Sequence, residues 1–246
     1  MAGPTPFLLI HGGSHGAWCW RKTQEALSAL DQPSHAFDLP GAGADQTARA
    51  NVNFQSYVDA AIYQIDHLPA GTVRVVGHSI AGMLLPTIAA ARPHRVAEIV
   101  YVAAVALPTG MRCIDAIPES RRAGYFVAAD SASDGTLTPH FQDAWNRFFP
   151  SLDEQQARAA FDQLTPQPFA PYLHAVAVGP ADVTVARRYF MLRNDRTFPE
   201  PTARHFAKVA CVTPEVIVGD HCIMLTDPQR LATALALNQK SARSAG

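Results

Sequence analysis

The chain has 246 residues, of which 48% are apolar and 17% charged, a composition that supports a large core and excludes a disordered body. At roughly 150 residues per domain the length fits one α/β domain carrying an insertion. Against 21 acidic residues there are 20 Lys and Arg, giving a formal net charge of −1 with no block of like charge, so the electrostatic footprint of a nucleic-acid or anionic-membrane binder is missing.

Phe7 to Ile10 is a short apolar run that stops at His11-Gly12-Gly13, the pattern of a buried strand entering a loop. Helical spacing follows from Ala17 to Leu30, then an extended stretch from Pro33 to Leu39 that ends in Pro40-Gly41-Ala42-Gly43. Phe54, Tyr57, Val58, Ala61, Ile62 and Ile65 predict an amphipathic helix closed by Pro69 and Gly71. Thr72 to Val76 reads as a buried strand, Ile80 to Ala91 as a buried helix, and Val96 to Leu107 as the next strand. This alternation predicts a parallel sheet with helices on both faces.

Between Pro108 and about Val185 the rhythm breaks into a segment rich in Pro, Asp, Ser and aromatic residues, with a helical pattern at Leu152 to Leu164 and no apolar strand run. The organisation expected is a core of residues 1–107 and 186–246 with a largely helical cap at 108–185. Alternation resumes with a strand at Tyr189 to Leu192, a helix opening on Pro199 and Pro201, a strand at Val216 to Val218 and a helix from Pro228 to Leu237. Residues after Gln239 read as a frayed tail.

Gly77-His78-Ser79-Ile80-Ala81-Gly82 sits where a strand turns directly into a helix, the context that makes a GxSx(G/A) match a nucleophile elbow. A serine hydroxyl needs a general base oriented by a carboxylate, and in this topology the chain order is Ser, then acid, then His. Among the 10 histidines, His221 lies just beyond the strand Val216 to Val218. Asp195 lies just beyond the strand that ends at Leu192. Asp220 competes as the acid, but adjacent side chains diverge, and Ala103-Ala104 removes the option after the preceding strand. Backbone N–H groups of Gly13 and Ile80 are expected to receive the oxyanion. His78 and His15 are read as flanking and bracing groups.

With these residues the chain resembles the α/β-hydrolase fold, in the branch of plant methylesterases, hydroxynitrile lyases and bacterial esterases of similar length. The resemblance rests on Leu8-Leu9-Ile10-His11-Gly12-Gly13, the turn at Ser79, Val100 to Ala104, the Asp195 loop and Gly219-Asp220-His221. Lyases of that branch carry a threonine after the first-strand histidine and a lysine after the triad histidine, whereas this chain has Gly12 and Cys222. The resemblance therefore implies a serine esterase cleaving a small apolar or aromatic ester or carbamate, with cyanohydrin lyase and non-catalytic receptor as alternatives. Gly12, Tyr125, Trp145, Phe148 and Phe149 are expected to line its pocket.

Cys19, Cys113, Cys211 and Cys222 lack zinc or disulfide spacing, and no run approaches the roughly 20 apolar residues of a membrane span. The N-terminus lacks the basic opening of a secretory signal. The expectation is a cytoplasmic protein with no metal or organic cofactor and no nucleic-acid or membrane partner, acting on a small molecule, with homodimerisation left open.

Overall fold

The computed structural model describes residues 4–237; the tail expected after Gln239 lies outside them. Strands β1 (Phe7–Ile10), β2 (Ser34–Phe37), β3 (Val73–His78) and β4 (Val96–Val102) alternate with helices α1 (Arg21–Ser28), α2 (Phe54–His67) and α3 (Leu85–Ala91). The segment after β4 holds α4 (Glu119–Asp130), α5 (Phe141–Phe148) and α6 (Glu154–Phe161), together with the two-residue strands β5 (Thr136–Leu137) and β6 (Gln167–Pro168). Strand β7 (Ala186–Leu192), α7 (Glu200–Val209), β8 (Glu215–Ile217), α8 (Ile223–Thr226) and α9 (Pro228–Ala236) complete the described chain.

All neighbours in the main sheet pair parallel, in the order β2-β1-β3-β4-β7-β8. Successive side chains of a strand point to opposite faces. Leu8, Ile10, Val75 and Tyr101 accordingly pack with α2, α3 and α7, while Phe7, Leu9, Val76 and Val100 pack with α1 and α9. Burial on both faces is why these strands read as mostly apolar runs rather than as a strict alternation. Among the described residues no helix is long and apolar enough to cross a membrane.

Two elements differ from the sequence reading. The helix expected from Ile80 is 3-10 over Ser79–Leu84 and becomes α-helical only at Leu85. Pro86 explains the switch: it has no N–H to donate and its ring would strike the carbonyl four residues back, so it is accommodated only in the first α-helical turn. The strand expected to reach Leu107 ends at Val102, because Ala103 takes φ +43° and the chain folds back until Val105 N–H donates to the Ser79 carbonyl at 2.9 Å. The segment 108–185 also holds the antiparallel β5–β6 pair, which its composition does not announce.

That fold-back makes Gly82 a packing constraint, since a Cβ there would stand 2.4 Å from the Val105 carbonyl oxygen and 2.8 Å from Ala104 Cβ. Gly124, in α4, would meet nothing within 4 Å. Urea unfolding should show Gly82→Ala losing about 1–3 kcal/mol and Gly124→Ala gaining about 0.5–1 kcal/mol. Equal effects of the two changes would refute the packing account.

Candidate active site

Every strand of the main sheet runs the same way, so the loops after β1, β3, β7 and β8 gather at one edge. After β3, Ser79 occupies φ +53°, a left-handed backbone for a residue with a Cβ and the strained turn expected of the motif. Gly12 makes the turn feasible: a Cβ on it would fall 2.8 Å from Ser79 Cβ and 2.7 Å from His78 Nδ1.

Ser79, His221 and Asp195 are brought together from sequence distances of 26 and 142 residues. Ser79 Oγ lies 3.1 Å from His221 Nε2, and His221 Nδ1 lies 2.8 Å from Asp195 Oδ2. The carboxylate accepts from Nδ1–H, which leaves Nε2 to accept the serine proton. All three residues are buried. The second oxygen of Asp195 accepts the N–H groups of Thr197 (2.7 Å) and Phe198 (2.9 Å), so the carboxylate is aimed by its own loop.

Asp220 points elsewhere. Its Oδ2 accepts from the backbone N–H of Ser151 at 3.1 Å and from the Ser151 hydroxyl, tying the His221 loop to the chain between α5 and α6. The Cys222 N–H donates to the Phe148 carbonyl at 2.8 Å, a second tie to the same segment.

His78 Nε2 donates to the carbonyl of His221 at 3.0 Å, so the residue before the serine grips the backbone of the imidazole that the serine faces. His15 donates from Nδ1 to the Gly13 carbonyl at 2.8 Å and takes the Cys222 thiol at Nε2, 3.3 Å away. These partners give the two histidines the flanking and bracing places expected of them.

Gly13 and Ile80 both face a cavity of about 490 Å³ that also exposes Ser79 and His221. The Ile80 N–H lies at the start of its 3-10 turn, before the helical ladder begins, and the Gly13 N–H has no hydrogen-bond partner among the described residues. One residue further on, Ser14 adopts φ +63°, and its N–H donates to Gln167 Oε1 at 2.9 Å while its carbonyl accepts from Thr165 N–H at 2.8 Å. Gln167 is buried and also donates to the Tyr57 hydroxyl at 3.1 Å. Sequence reasoning missed this residue, because a glutamine between two prolines carries no pattern.

Of the five expected pocket residues, Tyr125 and Phe148 line the cavity. The other three require correction. Gly12 is packed beneath Ser79 and His78, Phe149 is fully buried in the core on the α1–α9 side, and Trp145 stacks near Phe141 with its indole N–H donated to the Leu152 carbonyl at 3.0 Å. On α5, Ala144 and Phe148 line the cavity while Trp145 does not, and Phe149, the residue that caps the helix, also turns away into the core. Tyr172, absent from the expected set, lines the cavity with its hydroxyl 3.3 Å from where a Cβ on Gly13 would stand.

The profile of the alpha/beta hydrolase family matches residues 7–234, and the chain belongs to that family. Within it, the chain is similar to the methylesterase branch. It is 30% identical to methylesterase 2 of Arabidopsis thaliana over 136 residues, covering 54% of this chain and 47% of that protein. The chain spans about half the length of the first of the curated relatives it matches. Among solved structures, it is similar to an extracellular alpha/beta-hydrolase from a Paenibacillus species that shares structural and functional homology with tobacco salicylic acid binding protein 2. That pair is 24% identical with a TM-score of 0.87, covering 94% of this chain and 98% of the other. A pyrethroid hydrolase from Sphingobium faniae is 22% identical with a TM-score of 0.78, covering 94% and 96%.

Burial lowers the pKa of three histidines around the site: His11, His78 (well below its usual value) and His15, which falls to about 4. Each is held neutral when folded and takes up a proton on unfolding once the pH drops below about 6.5. Their contribution to stability is therefore complete above that value and is lost as the pH falls towards the folded value, with His15 alone accounting for about 3 kcal/mol near pH 4. Urea midpoints measured between about pH 7.5 and pH 4.5 should decline steadily, and less steeply in His15→Gln. A flat profile would show that these imidazoles accept protons in the folded state.

Proposed function

We propose that the protein is a serine esterase that cleaves a small apolar or aromatic carboxylic ester through an acyl-enzyme. The observation that carries this reading is the hydrogen-bonded series Ser79 Oγ, His221 and Asp195, open to a cavity beside the N–H groups of Gly13 and Ile80. His221 Nε2 takes the hydroxyl proton as Ser79 Oγ bonds to the ester carbonyl carbon, and Asp195 holds the ring and stabilises the cation that forms. The carbonyl oxygen becomes an oxyanion between Gly13 and Ile80. On collapse the C–O bond to the alcohol breaks, and His221 returns its proton to the departing alkoxide. Water then repeats the sequence on the acyl-serine and releases the acid. A carbamate passes through the same tetrahedral species.

Residues 108–185 act as the cap on a core of 1–107 and 186–246. The cap contributes Tyr125, Leu137, Phe148 and Tyr172 to the cavity wall, an apolar and aromatic surface suited to the ring or alkyl part of a substrate. Similarity to methylesterases and to a pyrethroid hydrolase supports ester cleavage. Cyanohydrin lyase chemistry is disfavoured, because a side chain at Gly12 would meet His78 and Ser79, and Cys222 carries no positive charge: burial pushes its thiol well up.

With p-nitrophenyl acetate, Ser79→Ala and His221→Ala should each lower kcat/KM by ~10³-fold or more with unchanged circular dichroism. Asp195→Asn should approach a ~10⁴-fold loss in kcat through the wrong tautomer, and Asp220→Asn should fall far less. Turnover that survives Ser79→Ala would remove the proposal, and a larger loss in Asp220→Asn would reassign the acid.

A further inference from the structure

Arg147, in the last turn of α5, lines the cavity and is partly buried. Its carbonyl accepts from Thr197 Oγ1 at 3.2 Å, which seats the end of α5 on the loop that carries Asp195. Its guanidinium has neither a salt bridge nor a hydrogen bond to any described residue. What it meets is the Phe148 ring, with the guanidinium carbon 5.5 Å from the centroid. Phe148 in turn lies against the His221 imidazole, ring centroids 5.8 Å apart. A single aromatic ring therefore spans from this cation to the imidazole that faces Ser79.

None of the other charges in the cavity wall pairs with it. Asp143 sits four residues earlier on α5 and forms no ion pair with Arg147, and Arg121 on α4 adds a second positive charge. The field of Arg147 reaches the Tyr172 phenol, next to Gly13. A guanidinium partly withdrawn from water without a counter-charge is unfavourable, and its planar fork is the shape that pairs with a carboxylate through two N–H donors. Phe148 supplies a flat apolar surface beside that fork.

We propose that Arg147 and Phe148 form a carboxylate subsite, and that the ester presented to Ser79 carries a second, ionised carboxylate on its body. The proposal rests on the esterase reading and adds a charge to its substrate: a half-ester of a dicarboxylic acid or an ester of a hydroxy acid, with an apolar or aromatic spacer along Phe148.

Two matched pairs test it on the full chain. Monomethyl terephthalate against methyl 4-methylbenzoate places the charge on the acyl side, and 4-acetoxybenzoate against 4-methylphenyl acetate places it on the alcohol side. For at least one pair the anionic-to-neutral ratio of kcat/KM should be about tenfold or more. That ratio should collapse in Arg147→Gln, fall below one in Arg147→Glu and partly return in Arg147→Lys. A wild-type ratio near one for both pairs, or a ratio that Arg147→Gln leaves intact, overturns the subsite.

The two readings fail separately. Ser79-dependent turnover of p-nitrophenyl acetate without any anionic preference keeps the esterase and removes the subsite. Should no ester be turned over, calorimetric titration of Ser79→Ala with terephthalate still reads the subsite: binding abolished by adding Arg147→Gln supports it, and absence of binding removes it.

Discussion

The hydrogen bond from Asn194 N–H to the Gly219 carbonyl, 3.1 Å long, continues the pairing of β7 and β8 beyond the ends of both strands. Arg193 N–H to the Ile217 carbonyl, at 2.8 Å, is the step before it. These two bonds hold the Asp195 loop against the His221 loop, and the 2.8 Å contact between the two side chains follows from them. His78 adds the third fastening by holding the His221 carbonyl from the neighbouring β3. Loops are ordinarily the mobile part of a fold. Here the backbone pairing normally confined to the sheet extends into them, and the side chains inherit its rigidity.

Three histidines next to this seam, His11, His15 and His78, are buried, and burial keeps them neutral against the pull of the carbonyls they donate to. His11 Nε2 accepts from Leu39 N–H at 3.0 Å, His15 Nε2 takes the Cys222 thiol, and His78 Nε2 donates to a carbonyl. In His11 and His15 one nitrogen must remain unprotonated for these roles to hold, and His78 Nδ1 is buried without a partner for a proton among the described residues. Stacking and edge contacts link His15 and His78 to Trp18, Trp20 and His221. The rings packed around His221 are aromatic, and Asp195 is the one carboxylate hydrogen-bonded to it among the described residues, which makes that carboxylate the direct electrostatic partner of an imidazolium.

The parallel core was legible in the sequence because strands buried on both faces leave apolar runs: those at Phe7 and Tyr189 are unbroken, and those at Thr72 and Val96 are interrupted only by Arg74 and Glu98. Ser79, Asp195 and His221 were legible for a related reason: a parallel sheet sends its loops to one edge, so the serine at the strand-to-helix turn, the acid just beyond β7 and the histidine just beyond β8 are residues that meet. Helical phase within the segment 108–185 was less legible. Sequence spacing lists Trp145, Phe148 and Phe149 without telling which way α5 is turned, and only the packing of Phe149 into the core decides it. Gln167 and Arg147 were invisible for a different reason. Each acts through a single polar group meeting a distant loop or cavity, and single polar contacts leave no period. The 3-10 start after Ser79 was encoded by Pro86, whose effect is felt four residues upstream of its own position.

Ser14 is held from both sides by the segment that follows β4, through Thr165 N–H and Gln167 Oε1. That left-handed residue adjoins Gly13, so the groove floor on the core side takes its shape partly from a stretch of chain some 150 residues away in sequence, as the 153-residue separation of Ser14 and Gln167 records. Such a segment is not an interchangeable module. A replacement of residues 108–185 that lacked the Thr165 and Gln167 contacts would unseat Ser14, and with it the adjoining Gly13 amide, without altering either residue.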